Sequence, residues 1–267
     1  MKKSMVDYDI ELPSIDGHNA DQIPDSYLIR EGDSTRVVAG RRPSKMLLVG
    51  SLREEVGHWR NNDYQGISDV TKELLHFWFY QDHLLDGKRF NYYFAQREAI
   101  ETLIFLVEFK GMKDLSRVIK SYSYNFNQWF HYEPEISQNP EGKRFLKRFF
   151  PELKQEGIQE LPEENLLRYA FKMATGSGKT VVMALAIVWS YFHKLKVSSS
   201  KMSDNFLIVA PNVIVFERLE KDFASGKIFN NYPLIPPSFK NEWNLKITLR
   251  GDSSTPHSSG NLFLTNI

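Results

Sequence analysis

The chain has 267 residues, of which 42% are hydrophobic and 25% charged, with a net charge of +1 and no cysteine. These proportions exclude a disordered or uniformly basic chain and fit one large globular domain, or a domain with an extension. Without cysteine there are no disulfide frameworks, thiolate metal sites or thiol nucleophiles, and the near-neutral balance confines any nucleic-acid contact to a local patch.

Met1-Lys2-Lys3-Ser4-Met5-Val6-Asp7-Tyr8 has two lysines but no apolar stretch behind them, unlike a secretory leader. The longest uninterrupted apolar run is the nine residues Val181 to Trp189, well short of the roughly 20 that span a membrane. The expectation is a soluble cytoplasmic protein with no membrane contact.

In chain order, residues 1–24 are polar and broken by Pro13, Gly17 and Pro24, as in a loosely held surface segment. Tyr27-Leu28-Ile29 and Arg36-Val37-Val38-Ala39 are short strands around a turn at Glu31-Gly32-Asp33. Gly40-Arg41-Arg42-Pro43 is a basic turn, read as solvated, with a phosphate contact as the alternative. Leu47-Leu48-Val49 leads into a polar stretch containing Trp59-Arg60. Ser68-Asp69 is a helix start ahead of Val70 to Tyr80, with Val70, Leu74, Phe77 and Trp78 on a core-facing side. His76 is assigned no catalytic role.

Phe90 to Ala99 is aromatic-rich and runs into Ile100, Leu103, Ile104 and Val107 at helical spacing. Gln96 stands at that helix start. Its amide can donate and accept together, as N7 and N6–H of adenine require, and a neighbouring aromatic ring can stack on a base. Residues 110 to 162 read as a helical insertion, with helices over Met112–Ile119 and Gly142–Phe150 and a polar connection through Pro134 and Pro140. Lys143 to Phe150 interleaves basic and aromatic residues. It reads as an amphipathic helix with a basic outer face, the alternative being a nucleic-acid track.

Leu167, Tyr169, Phe171 and Met173 alternate with Arg168, Ala170 and Lys172, the two-residue period of a strand. The apolar helix from Val181 follows. Between them lies Thr175-Gly176-Ser177-Gly178-Lys179-Thr180. A strand, a glycine-rich turn ending in Gly-Lys-Thr, and a helix make the context of a phosphate-binding loop. Gly176 and Gly178 let backbone N–H groups converge, and the helix N-terminus adds partial positive charge. Lys179 reaches the β- and γ-phosphates, and Thr180 offers its hydroxyl to Mg²⁺. The general motif has a glycine five residues before Gly178, where this chain has Met173.

Downstream, Phe206 to Ala210 is an apolar strand stopped by Pro211-Asn212. Val213, Phe216, Leu219 and Phe223 form a helix face, and Tyr232 to Pro237 a loop. Leu245, Ile247 and Leu249 alternate as another strand, then a serine-rich loop from Gly251 to Gly260 leads to a last strand from Asn261. Strands alternating with helices imply an α/β fold with a parallel sheet covered on both faces, ligands lying beyond the strands' carboxyl ends.

Gln96, the Met173-to-Thr180 loop, and Ile208-Val209-Ala210-Pro211-Asn212 with Arg218-Leu219 together resemble the first motor domain of superfamily 2 helicases. Within these they resemble the DEAD/DEAH-type ATPase subunits of restriction endonucleases, the type III Res-like group. Trp59-Arg60, the Val70–Trp78 helix and Tyr93 to Ala99 extend the likeness upstream to about Val56. It implies a RecA-like P-loop NTPase sheet covered by helices over residues 90–267, behind an N-terminal α+β extension over 1–89.

The resemblance further implies ATP and Mg²⁺ as cofactors, with Thr175, Gly176, Ser177, Gly178, Lys179 and Thr180 holding phosphates and metal, and Gln96 recognising adenine. Lys179 and Thr180 carry the catalytic roles. Pro211, Asn212, Arg218 and Thr265 match positions that grip a DNA backbone, contacts that position rather than specify. Modification or specificity subunits of a restriction system are the implied partners.

The family's Asp-Glu-x-x motif, which holds Mg²⁺ and orients water, follows no strand after Thr180. The second motor domain is also missing, and the sequence stops inside an apolar strand. The expectation is the N-terminal portion of a longer motor, or a truncated product, that binds ATP and hydrolyses it poorly or not at all. A non-motor nucleotide-binding module and a small-molecule kinase are the alternatives, and Met173 and the Pro211-Asn212 strand end count against the kinase.

Overall fold

The computed structural model describes residues 23–43, 47–111, 121, 135–150, 155–160 and 168–267. It opens with the expected hairpin. Strand β1 (Ser26–Glu31) pairs antiparallel with β2 (Ser34–Ala39), Ser26 opposite Ala39. Gly32, at φ +64°, sits in the two-residue turn, where a positive φ matches the twist of the strands.

The stretch after Leu47 is helix α1 (Leu47–Asn61). Leu48, Leu52, Val56 and Trp59 recur at intervals of four, four and three, and pack into the core. Gly50, Gly57 and the run Arg53-Glu54-Glu55 disguise that stripe. Helix α2 (Asp69–Tyr80) starts where Ser68 predicts it, the Thr71 N–H donating to Ser68 Oγ at 3.4 Å. Leu74, Leu75, Phe77, Trp78 and Phe79 are buried. A short hairpin, β3 (His83–Leu85) with β4 (Lys88–Phe90), leads to α3 (Phe94–Ile104), which ends in a π-helical turn at Phe105–Phe109.

The helical insertion is corrected. Gly142–Phe150 does not form a helix: β5 (Glu135–Gln138), β6 (Arg144–Phe150) and β7 (Gln155–Glu160) make an antiparallel sheet. Arg144 and Leu146 are buried while Phe145 is half-buried and Lys147 exposed, a period of two instead of 3.6. Cross-strand neighbours decide between the two periods, and a one-strand reading cannot see them. The helix expected at Met112–Ile119 lies outside the described residues.

The strand expected to feed the glycine-rich loop is also corrected. Leu167 lies outside the described residues, and residues 168–174 join no ladder. The alternation is partly expressed, since Tyr169 packs against the core while Phe171 is exposed. A strand needs hydrogen-bonded neighbours as well as alternation, and no described strand lies alongside.

Helix α4 (Lys179–Lys196) follows the loop and is the spine of the core. Val181, Val182, Ala184, Leu185, Ile187, Val188, Trp189, Tyr191, Phe192 and His193 are buried. Burial of each large apolar side chain stabilises the fold by about 1.5–3 kcal/mol. Beyond it come β8 (Asn205–Ala210), α5 (Val213–Phe223), α6 (Lys227–Asn231), β9 (Lys246–Leu249) and β10 (Asn261–Asn266). The three strands form a parallel sheet in the order β8-β10-β9. Ile208, Ala210, Leu262 and Leu264 are buried.

The expected cover on both faces is not found among the described residues. Leu207 and Val209, on the other side of β8, are 64% and 47% exposed. Val213, placed on the core face of α5 by its spacing, is 57% exposed, whereas Phe223 is buried and Phe216 and Leu219 pack on the core. No helix among the described residues is long and apolar enough to cross a membrane.

Candidate functional site

The glycine-rich loop is a compact turn closed around one carbonyl. Ala174 O accepts from Ser177 Oγ at 2.7 Å, from Lys179 Nζ at 2.7 Å and from Ser177 N–H at 3.4 Å. Gly176 and Gly178 adopt φ of +80° and +76°, in the left-handed region where glycine carries no Cβ penalty. Gly178 is the N-cap of α4 and has no side chain to cap it. The helix therefore presents its first N–H groups and the positive end of its dipole at the loop. Thr175, Gly176 and Lys179 are exposed; Ser177, Gly178 and Thr180 are half-buried. An exposed ammonium, a hydroxyl and an uncapped helix start within six residues can hold a chain of phosphates with a divalent cation.

Gln96 is brought against this loop from 81 residues upstream. It occupies the first turn of α3 and is only 4% exposed. Its Oε1 accepts from the Tyr93 N–H at 2.9 Å, capping the helix, and its Nε2 donates to Ser177 O at 3.2 Å. A Cβ on Gly178 would come within 2.1 Å of the Gln96 Nε2, so the amide occupies the space that glycine leaves.

Behind Gln96, α3 is anchored by buried charge. Glu101, fully buried, accepts from Arg97 Nε at 2.8 Å, Tyr64 OH at 2.6 Å and the Arg60 guanidinium. Arg97, 2% exposed, also donates to Tyr64 OH at 3.0 Å and Tyr80 OH at 2.6 Å and lies over the Tyr80 ring. Burial pushes the Tyr64 phenol up, and neighbouring Glu101 adds to the shift. Burial would lower the Arg97 and Arg60 pKa values, yet Glu101 outweighs it and both are raised. Arg41 of the basic turn is not simply solvated: it pairs with Glu98 on α3, and its guanidinium lies 5.4 Å from the Phe94 ring centre.

A second buried cluster fixes α4 to α2. Glu108 accepts from Thr71 Oγ1 at 2.6 Å and Ser68 N–H at 2.7 Å, with His193 Nε2 at 3.4 Å. Trp189 Nε1 donates to Thr71 Oγ1 at 3.0 Å. Burial alone would raise the Glu108 carboxyl; the His193, Thr71 and Ser68 contacts outweigh it and hold it at about 2.

Of the other expected contact residues, Pro211, Asn212 and Thr265 lie at the carboxyl ends of adjacent strands, and Arg218 is exposed on α5. Asn212 Oδ1 accepts from Val215 N–H at 2.9 Å, capping α5. Thr265 pairs with Val209 in register, and the Ile267 N–H donates to Ala210 O at 3.2 Å. Arg250, just beyond β9, donates to Asn266 Oδ1 at the same sheet end. Lys143 of the expected basic face stands beside a carboxylate, its Nζ 3.7 Å from Glu160, and Lys147 is exposed.

No curated protein and no solved structure matches the chain. The family model described as type III restriction enzyme, res subunit (ResIII) matches residues 90–266, from the end of β4 to the end of β10. Its span takes in Gln96, the loop and all three parallel strands, and it implies a RecA-like P-loop architecture. Two thirds of the sequence being so matched, the chain belongs to the family of type III restriction enzyme res subunits.

Proposed function

We propose that the chain is the ATP-binding part of an ATP-dependent DNA translocase or helicase subunit of a restriction-type system. One observation carries this reading: within the matched span, a glycine-rich loop places Lys179 and Thr180 at the uncapped start of α4. Lys179 holds the β- and γ-phosphates and neutralises charge developing during phosphoryl transfer; Thr180 takes Mg²⁺. Thr175 to Gly178 line the phosphate chain with backbone N–H groups, and Gln96 belongs to the same site. Pro211, Asn212, Arg218 and Thr265 contact a double-stranded DNA backbone, and modification or specificity subunits supply sequence recognition. Residues 1–267 alone turn ATP over slowly, because their sequence has no Asp-Glu pair after a strand to orient the attacking water.

Titration of ATP with Mg²⁺ into Lys179→Ala tests the reading. Losing a charge-assisted hydrogen bond weakens binding by roughly 10- to 100-fold, with thermal stability unchanged because Lys179 is exposed. Wild-type affinity in this variant would sink the proposal.

A further inference from the structure

The first turn of α3 carries Gln96 between two residues that the N-terminal extension holds. Phe94 and Glu98, four positions apart, share one face of the helix. Arg41 grips both. Its guanidinium lies 5.4 Å from the Phe94 ring centre; Nη1 donates to Glu98 Oε1 at 2.6 Å and Nη2 donates to Oε2. Two parallel bonds of this kind fix angle as well as distance. Arg53 Nε stands 3.3 Å from the same carboxylate, and the Arg60 guanidinium lies 5.3 Å from the Phe94 ring centre. The Glu98 side chain is 13% exposed and that of Arg41 28%, so water screens this pair less than one at the open surface. All three arginines precede residue 90, where the family match begins.

We propose that Arg41 is a positioning residue for the nucleotide site. Acting through Glu98 and Phe94, it fixes the tilt of the first turn of α3, and with it the alignment of Gln96 on an adenine base. The inference rests on the nucleotide reading above, with Gln96 as the base contact. It adds that the matched span does not hold the base end by itself: the basic turn between β2 and α1 is part of the site. The phosphates are held by a different element, the glycine-rich loop and the start of α4. Loss of Arg41 therefore falls on the base and spares the phosphates.

Titration of Arg41→Ala, in the whole 267-residue chain, with ATP, GTP and inorganic tripolyphosphate, each with Mg²⁺, tests this. Coupling through packed residues changes affinity by about two- to thirtyfold. ATP is expected to weaken by such a factor, tripolyphosphate not to change, and the preference for ATP over GTP to shrink. A merely structural role would loosen the domain and weaken ATP and tripolyphosphate alike. Glu98→Gln removes the ion pair from the α3 side with little change of size, and should show the same split. The double variant should bind ATP no more weakly than the worse single one, because both substitutions break one pair. Arg41→Lys keeps the charge without the two-bond geometry, so its ATP affinity should lie between wild type and Arg41→Ala.

Wild-type ATP affinity in both Arg41→Ala and Glu98→Gln overturns the proposal and leaves the nucleotide reading standing. Equal weakening of ATP and tripolyphosphate overturns it too, as do losses that add in the double variant. A wild-type chain that binds none of the three ligands sinks the nucleotide reading, and the role of Arg41 with it.

Discussion

In the α1–α3 layer two guanidinium groups, a carboxylate and two phenols lie together, bonded to one another, with Arg97 and Glu101 almost wholly out of water. Along β8 and the first turn of α5 the reverse holds: Leu207, Val209, Val213 and Ile214 are 64%, 47%, 57% and 71% exposed. The first region satisfies its polar groups internally and holds Tyr64, Arg97 and Glu101 out of water behind Gln96. The second leaves aliphatic surface beside the strand ends that carry Asn212 and Thr265. Strands of parallel sheets are ordinarily buried on both faces. A face of β8 that no described residue covers is therefore more unusual than scattered exposed aliphatics elsewhere. The difference teaches that the loop's support is complete within the described residues, whereas the strand-end surface is held from one side.

The sharpest way to break that contrast is Glu101→Ala. It leaves Arg60 and Arg97 facing each other with no carboxylate between them, and an unpaired buried charge costs about 3–5 kcal/mol. Urea unfolding at neutral pH reads this directly. A loss under about 1 kcal/mol would mean that the network relaxes into water and gives α3 no rigid support.

The Glu108 cluster gives a smaller, pH-dependent effect. Its carboxyl is held at about 2, below the ordinary 4.5. A carboxylate depressed in the folded state contributes stability that is complete above its ordinary value and is lost as pH falls from there through about 2. The shift corresponds to at most about 3 kcal/mol. The stability difference between wild type and Glu108→Gln should therefore be largest near neutral pH, shrink below pH 4.5, and nearly vanish at pH 2. A difference that stays constant across that range would show that Ser68, Thr71 and Trp189 bind the amide as well as the carboxylate.

Much of this was legible because the signals were local. Ser68 capping α2, the nine-residue apolar run in α4, and Pro211-Asn212 ending β8 each act within a few residues of themselves. The glycine-rich loop was legible for the same reason. Signals that failed depended on partners outside the segment being read. Gly142–Phe150 carries an apolar pattern compatible with a helix, and the pairing with β5 and β7 decides against it. Residues 168–173 alternate without a ladder. The tie between Gln96 and Ser177 spans 81 positions, and nothing in either neighbourhood announces it. Arg41 looked solvated because its partner, Glu98, is 57 residues away.

The last test is on the open face. Leu207 and Ile208 are neighbours on β8, 64% and 8% exposed, pointing to opposite sides of the sheet. If water covers the outer side, Leu207→Lys changes stability by less than about 0.5 kcal/mol, as surface substitutions do. The lysine stem can lie along Val209 and keep its ammonium in water. A cost above about 1 kcal/mol by urea unfolding would mean that Leu207 is covered in solution. The strand-end surface would then be as fully packed as the α1–α3 layer, and the contrast between the two regions would disappear. A small cost leaves the contrast standing and locates the constraint on Asn212 and Thr265 in the buried side of the sheet, where Ile208, Ala210, Leu262 and Leu264 hold β8 and β10 in register.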